Sequence, residues 1–123
     1  MEHIWNVSGR EYDFDVSDSE CMKKLNHALT VLCEECGESA EITEVGGTIE
    51  HHCAMIAAFF DTVFGEGTGV EICGVRHSAE QYTLKYVDFI VFVNRQVEAF
   101  SALCRSIEDK YLGTLETISE ASA

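Results

Sequence analysis

The residues with the most chemical potential in this chain are its six cysteines and five histidines. Cys33-Glu34-Glu35-Cys36 is a C-x-x-C, and His51-His52-Cys53 and the Cys73–His77 pair add further donors. Zinc takes Cys and His at such short spacings, so Cys33, Cys36, His52 and Cys53 make a candidate metal set. Their positions argue against it. Cys36 falls on the apolar stripe of a predicted helix with Cys33 beside it, whereas a zinc knuckle sets its pair on a turn rich in Gly or Pro. Cys53 falls on the core stripe of a second predicted helix, and free Cys is among the most buried residue types. A thioredoxin-type redox pair wants a preceding strand, and none is legible. The cysteines therefore read as structural thiols. The alternative is a small zinc-binding structural or regulatory protein using those four residues.

Other groups that could do chemistry resolve in the same direction. Gly65-Glu66-Gly67-Thr68-Gly69 has the glycines of a phosphate loop. It has neither the strand before it nor the Lys after it, and Glu66 would repel phosphate. It reads as a glycine turn between helices. His51 and His52 are neighbours, so on a helix they point about 100° apart and cannot share one site. Asp61, Glu66 and Glu71 have no nucleophile or histidine base placed with them and read as solvated carboxylates. The expectation is a non-enzymatic protein with no cofactor.

The elements that position these residues are legible from periodicity. Tyr12, Phe14 and Val16 alternate with acids, Trp5 and Val7 offer a matching face, and Ser8-Gly9 lies between the two runs, which predicts a β-hairpin over 3–16. Ser17 with Glu20 forms a capping box for helix one. Met22, Leu25, Leu29, Leu32 and Cys36 make its stripe, and Gly37 its stop. A polar loop follows over 38–47, with Ile42 and Val45 as docking residues. Helix two runs from about Thr48 to Phe64 and is apolar around so much of its circumference that it should be the most buried. Val70–Cys73 predicts one short helical turn. Ser78 with Gln81 opens the last helix, and Gly113 closes it. Its residues Tyr86, Ile90, Val93, Val97, Phe100, Cys104, Ile107 and Tyr111 recur with period 3.5. At 1.5 Å per residue this helix is ~50 Å long, against a domain diameter of about 35 Å. It should overhang its own domain with its seam in need of a partner, in a mixed helix-bundle interface rather than a parallel zipper.

Composition bounds the rest. The chain has 123 residues, 46% of them hydrophobic, and no proline, which suits one folded, helical domain. Its 22 acidic and 8 basic side chains give a formal charge of −14. That balance opposes nucleic acid and anionic lipid and leaves a basic protein as the natural charged partner. The first residues lack a basic and then apolar signal pattern, and the longest apolar stretch, Ala54–Phe60, is too short to cross a bilayer. A cytoplasmic location is expected.

Two segments carry a resemblance. V-S-G-R-E-Y-D-F-D-V-S-D (Val7–Asp18) resembles the opening hairpin of small acidic proteins encoded by phages and prophages of Gram-positive bacteria. F-F-D-T-V-F-G-E-G-T-G-V-E-I-C-G (Phe59–Gly74) looks like that family's second signature, and Y-V-D-F-I-V-F-V-N-R-Q-V (Tyr86–Val97) is similar in pattern to its terminal helix. Proteins of this kind lie in the tail-morphogenesis region of siphophage genomes, and some look like tail assembly chaperones. The resemblance implies a chaperone-like role in the host cytoplasm. Such a protein would keep the long tape-measure protein soluble until tail-tube subunits polymerise around it.

The sequence thus leads to an α+β fold, mainly α: a β-hairpin and three main helices in a single domain over 1–113, then a flexible tail over 114–123. The expected partners are a helical tape-measure or tail-tube protein and further copies of the chain. The expected contact residues are Trp5, Tyr12, Phe100, Leu103, Ile107 and Tyr111.

Overall fold

A computed structural model describes residues 2–38 and 45–122, with side chains over 2–35 and 47–110. Two short strands, β1 (Ile4–Val7) and β2 (Arg10–Asp13), lead into four helices: α1 (Ser19–Glu38), α2 (Val45–Phe64), α3 (Thr68–Cys73) and α4 (Ala79–Ser122). The mainly helical fold with an N-terminal hairpin and a long last helix is the one its periodicities predict. The loop expected around Ile42 lies outside the described residues.

The hairpin is antiparallel, with Trp5 opposite Tyr12 and Val7 opposite Arg10. Its two-residue turn has φ of 52° at Ser8 and 71° at Gly9, the paired positive values of a turn whose twist matches the strands. A serine enters that region reluctantly. Here its Oγ donates to the Ile72 carbonyl of α3 at 2.6 Å, which ties the turn to the helical body. Beyond the second strand the chain stays attached: the Phe14 amide donates to the His3 carbonyl at 2.9 Å.

The start of α1 corrects one sequence expectation. Ser17 does not cap the helix. Its amide and hydroxyl both donate to Asp15 Oδ1, at 2.8 and 2.6 Å, and these bonds hold the Asp15 carboxyl below its usual range. Asp18 becomes the cap, accepting the Cys21 amide at 3.0 Å, which leaves Glu20 without the reciprocal role of a capping box. The expected end of α1 and start of α2 also move. Gly37 is carried inside α1, which ends at Glu38, and α2 starts three residues before Thr48, at Val45. A helix's first amides and last carbonyls lack intrahelical partners anyway, so a glycine near an end costs little. The stop expected at Gly113 is likewise passed, and α4 continues to Ser122.

The core lies where α2 meets everything else. Cys53, Ile56, Phe59, Phe60 and Val63 of α2 are buried, as its wide apolar arc requires. They pack with Trp5, Val7 and Phe14 from the hairpin side, Leu25 and Ala28 from α1, Ile72 from α3, and Tyr82, Phe89 and Val93 from α4. Trp5 stacks on Phe60 at 5.7 Å between ring centres and meets Phe89 at 5.0 Å.

The Phe59–Gly74 segment has a mechanical explanation. Gly65 and Gly67 have positive φ, 120° and 89°, and reverse the chain after α2. Asp61 Oδ1 accepts the Gly69 amide at 2.8 Å, and Thr68 Oγ1 donates to the Phe60 carbonyl at 3.0 Å. These contacts draw α3 so close to α2 that a Cβ on Gly69 would lie 2.6 Å from the Ala57 Cα and closer still to the Ala57 carbonyl oxygen. Both obstacles are backbone. Gly69→Ala is therefore expected to force α3 off α2 and to cost about 1–3 kcal/mol. Chemical denaturation of the two proteins checks this, and equal midpoints would refute the close approach.

Candidate protein-interaction surface

The long helix changes character halfway along. Up to Gln96 its inner face is covered: Tyr82, Phe89, Val93 and Gln96 are buried. Gln96 is the anchor. Its side-chain oxygen accepts the Val16 amide at 2.9 Å, and its nitrogen donates to the carbonyls of Glu2 and Phe14, each at 2.6 Å. From Val97 to Lys110 no residue is buried. The same face then emerges bare, with Phe100 37%, Leu103 55% and Ile107 57% exposed. These residues fall at i, i+3 and i+7, one side of a helix, in line with Phe89 and Val93.

The predicted seam is slightly rotated against this arrangement. Val93 is buried as expected, but Tyr86 and Ile90 are half-buried and Val97 is exposed, while Phe89 and Gln96, outside the 3.5-residue pattern, take the deepest positions. A helix of 3.6 residues per turn drifts by about 20° per heptad from a strict seven-residue repeat. The core follows the straight helix.

The other expected contact residues part ways. Trp5 does not present an exposed edge: it is 3% exposed, and its Nε1 donates to Asp88 Oδ2 at 2.9 Å. A hairpin alternates its faces, and the Trp5 face is the one turned onto α2 and α4. Tyr12, opposite it, is half-buried against Phe64 at 5.1 Å, with its hydroxyl donating to Glu71 at 3.0 Å. The Tyr111 side chain lies outside the described residues. Phe100, Leu103 and Ile107 are thus the expected contact residues that the fold leaves open together.

A second feature adjoins α4. A groove of about 530 Å³ runs between α1, α2 and α4, walled by Leu29, Leu32, Met55, Ile56, Tyr86 and Val87. Its polar groups are Cys33, His52 and Thr83, and His52 Nε2 lies 2.8 Å from Thr83 Oγ1. The groove's α4 wall includes Val87, which belongs to a run of exposed apolar residues with Leu84 and Val91. Sequence reasoning missed that run. Its spacing of three and four was the signal, hidden beside the stronger stripe on the opposite face.

Of the candidate metal set, Cys33 and His52 line the same groove, while Cys53 is turned into the core. Cys33 is exposed, Cys53 is buried in the core, His52 is occupied with Thr83, and the Cys36 side chain lies outside the described residues. Among the described residues no three of His, Cys, Asp and Glu come together as a group able to hold a metal ion. The acidic trio is dispersed. Asp61 caps α3, and Glu71 serves Tyr12 and lies 3.6 Å from Arg10. His51 faces Glu35 of α1 across 3.7 Å.

The thiols differ sharply in reactivity. Cys33 is exposed, whereas Cys53 and Cys73 are buried, and burial pushes the Cys73 thiol up to about 12. Alkylation requires thiolate, so at pH 8 only roughly one Cys73 in ten thousand is reactive on that scale. In a timed alkylation read by mass spectrometry, Cys33 should be labelled first and Cys53 and Cys73 only on unfolding. Early labelling of Cys73 would contradict its placement.

Fold and surface together define a small, mainly helical protein with an N-terminal hairpin, whose long last helix carries an uncovered apolar face. The chain belongs to DUF6673, a family of unknown function, whose model matches residues 8–117. No curated protein and no solved structure matches it. Among the described residues no helix is long and apolar enough to cross a membrane.

Proposed function

We propose that this is a non-enzymatic phage protein, tail-assembly-chaperone-like, that binds the helical tape-measure protein and self-associates in the host cytoplasm. One observation carries the reading: α4 continues past Gln96, the last buried residue among those whose side chains are described, with Phe100, Leu103 and Ile107 exposed along one face. Anchors at i, i+3 and i+7 are how one helix grips another. A holder for a long helical protein needs such a face, and it needs to keep the complex soluble. A charge of −14 supplies that solubility. The resemblance of Val7–Asp18 and Phe59–Gly74 to phage proteins of the tail region supports the choice of client.

The test is co-expression with a tape-measure fragment that is insoluble alone. The chain should carry the fragment into the soluble fraction and co-purify with it. The double variant Leu103→Asp, Ile107→Asp should lose at least tenfold in co-purified fragment, since burying two unpaired carboxylates opposes association, while its thermal midpoint stays within a few degrees. Fragment solubility that is the same with and without the protein would refute the proposal.

A further inference from the structure

We propose that the free edge of β2 is a docking site for an extended, basic segment of a partner protein, which adds to the hairpin as a third strand. This surface is separate from the exposed face of α4 and does not rest on the helical client.

The hairpin leaves one edge open and closes the other. In an antiparallel pair, residues that exchange backbone hydrogen bonds alternate with residues whose amide and carbonyl point away from the partner strand. The Phe14 amide donates to the His3 carbonyl at 2.9 Å. By that alternation Trp5 with Tyr12 and Val7 with Arg10 are the bonded pairs of the register. Ile4 and Asn6 therefore turn their backbone groups outward on β1, and Glu11 and Asp13 turn theirs outward on β2. On β1 the Ile4 amide is taken by Glu2 Oε1 at 3.1 Å, and the strand packs against α4. On β2 the outward amides and carbonyls of Glu11 and Asp13 make no hydrogen bond among the described residues, and both residues are exposed. The open run stops before Asp15, whose carbonyl accepts the Asp18 amide at 3.1 Å. An incoming strand thus finds donors and acceptors already set at the spacing of a ladder.

Charge decides what fits there. The Glu11 and Asp13 side chains lie on the hairpin face turned away from the core, because Trp5, Val7 and Tyr12 hold the other. The nearest basic side chains are occupied elsewhere: Arg10 lies 3.6 Å from Glu71, and His3 lies 3.7 Å from Asp15. Glu11 and Asp13 themselves make no ion pair among the described residues.

A second copy is excluded by the same geometry. Only Glu11 and Asp13 offer outward groups on β2, so a ladder between two such edges sets acid against acid in every register. Like charges directly opposite one another oppose pairing, and a net charge of −14 on each copy adds to the repulsion. Charged edge residues are a usual defence against such pairing. Here the defence is of one sign, so it selects. Lysine or arginine opposite Glu11 and Asp13 turns both contacts attractive. The residue between them falls on the other side of the sheet, beside Tyr12, whose half-buried ring lies 5.1 Å from that of Phe64. An apolar side chain there extends the aromatic contact. The partner segment is therefore basic, apolar and basic at successive positions.

NMR titration of the full chain with a short peptide of alternating Lys and Val tests this. The Glu11 and Asp13 amides should shift most, and their exchange with solvent should slow. The same peptide N-methylated at its Lys residues keeps the charge and loses the amides that would bond to β2, so it should bind about tenfold more weakly or worse. A peptide of alternating Glu and Val should not bind. Glu11→Lys with Asp13→Lys should exchange the preference, losing about tenfold or more for the Lys peptide and gaining the Glu peptide. Both positions are exposed, so the thermal midpoint of this variant should stay near wild type. Leu103→Asp with Ile107→Asp should bind the Lys peptide as wild type does, so lost client binding with peptide binding retained removes the chaperone reading and spares this one. Equal binding of the N-methylated peptide would mean attraction by charge alone and overturns the proposal. So does binding of the Glu peptide by the wild type, a titration that leaves Glu11 and Asp13 unmoved, or no binding of the Lys peptide at millimolar concentration.

Discussion

Phe89→Ala is expected to destabilise the protein by about 3–5 kcal/mol, a large share of the roughly 5–15 kcal/mol that holds a domain of this kind folded. Phe89 is fully buried and sits at the centre of an aromatic cluster. Its ring centre lies 5.0 Å from Trp5, 5.4 Å from Phe14, 5.4 Å from Phe64, 5.8 Å from Phe60 and 5.9 Å from Phe59. Several of these contacts are edge-to-face, the arrangement that the ring quadrupole favours. The neighbours come from the hairpin, from the segment that follows it and from α2, so no single element can move in to fill the space. A rigidly framed cavity is the costly kind. Urea unfolding followed by fluorescence of the sole tryptophan, Trp5, reports directly on the ring beside the deletion. A loss below about 1 kcal/mol would place the centre of the core elsewhere.

What the sequence revealed depended on how local the deciding interaction was. The Ser8-Gly9 turn, the short α3 and the Ser78 cap of α4 were readable because each is settled within a few residues. In the last case Ser78 Oγ accepts the Gln81 amide at 3.3 Å. The cap of α1 was not, because Asp15 competes for Ser17 and hands the role to Asp18. Trp5 and Tyr12 looked equivalent on one hairpin face, and only the packing of that face onto α2 and α4 buries one and half-exposes the other. For α4 the existence of a long helix with an uncovered apolar face was legible from periodicity. Its angular setting was not, because a 3.5 pattern and a 3.6 helix diverge over several turns and the sequence does not say where the core takes hold.

Gln96 shows the limit most plainly, and it supports the second large effect. In a helix otherwise lined with Val and Phe, a glutamine reads as a solvent-facing residue. It is 2% exposed and makes three of the hydrogen bonds that join the chain's first sixteen residues to α4. Gln96→Leu keeps much of the volume and removes all three. The Val16 amide loses its acceptor, and the carbonyls of Glu2 and Phe14 lose a donor. An unsatisfied buried group costs about 1–3 kcal/mol, and the apolar gain of Leu offsets part of the sum, so a net loss of about 2–4 kcal/mol is expected. Hydrogen exchange should show the cause, with protection of the Val16 amide collapsing more than that of amides inside α2. Gln96→Glu discriminates further. At neutral pH it aims a carboxylate at two carbonyl oxygens in a buried site, which is worse than Leu. On acidification the protonated acid regains one donor, so the Glu variant should gain stability relative to the Leu variant as pH falls. Equal stability of the two variants at every pH would mean that Gln96 acts by packing alone. In that case the arm from Glu2 to Val16 would be held by its aromatic residues rather than by the glutamine.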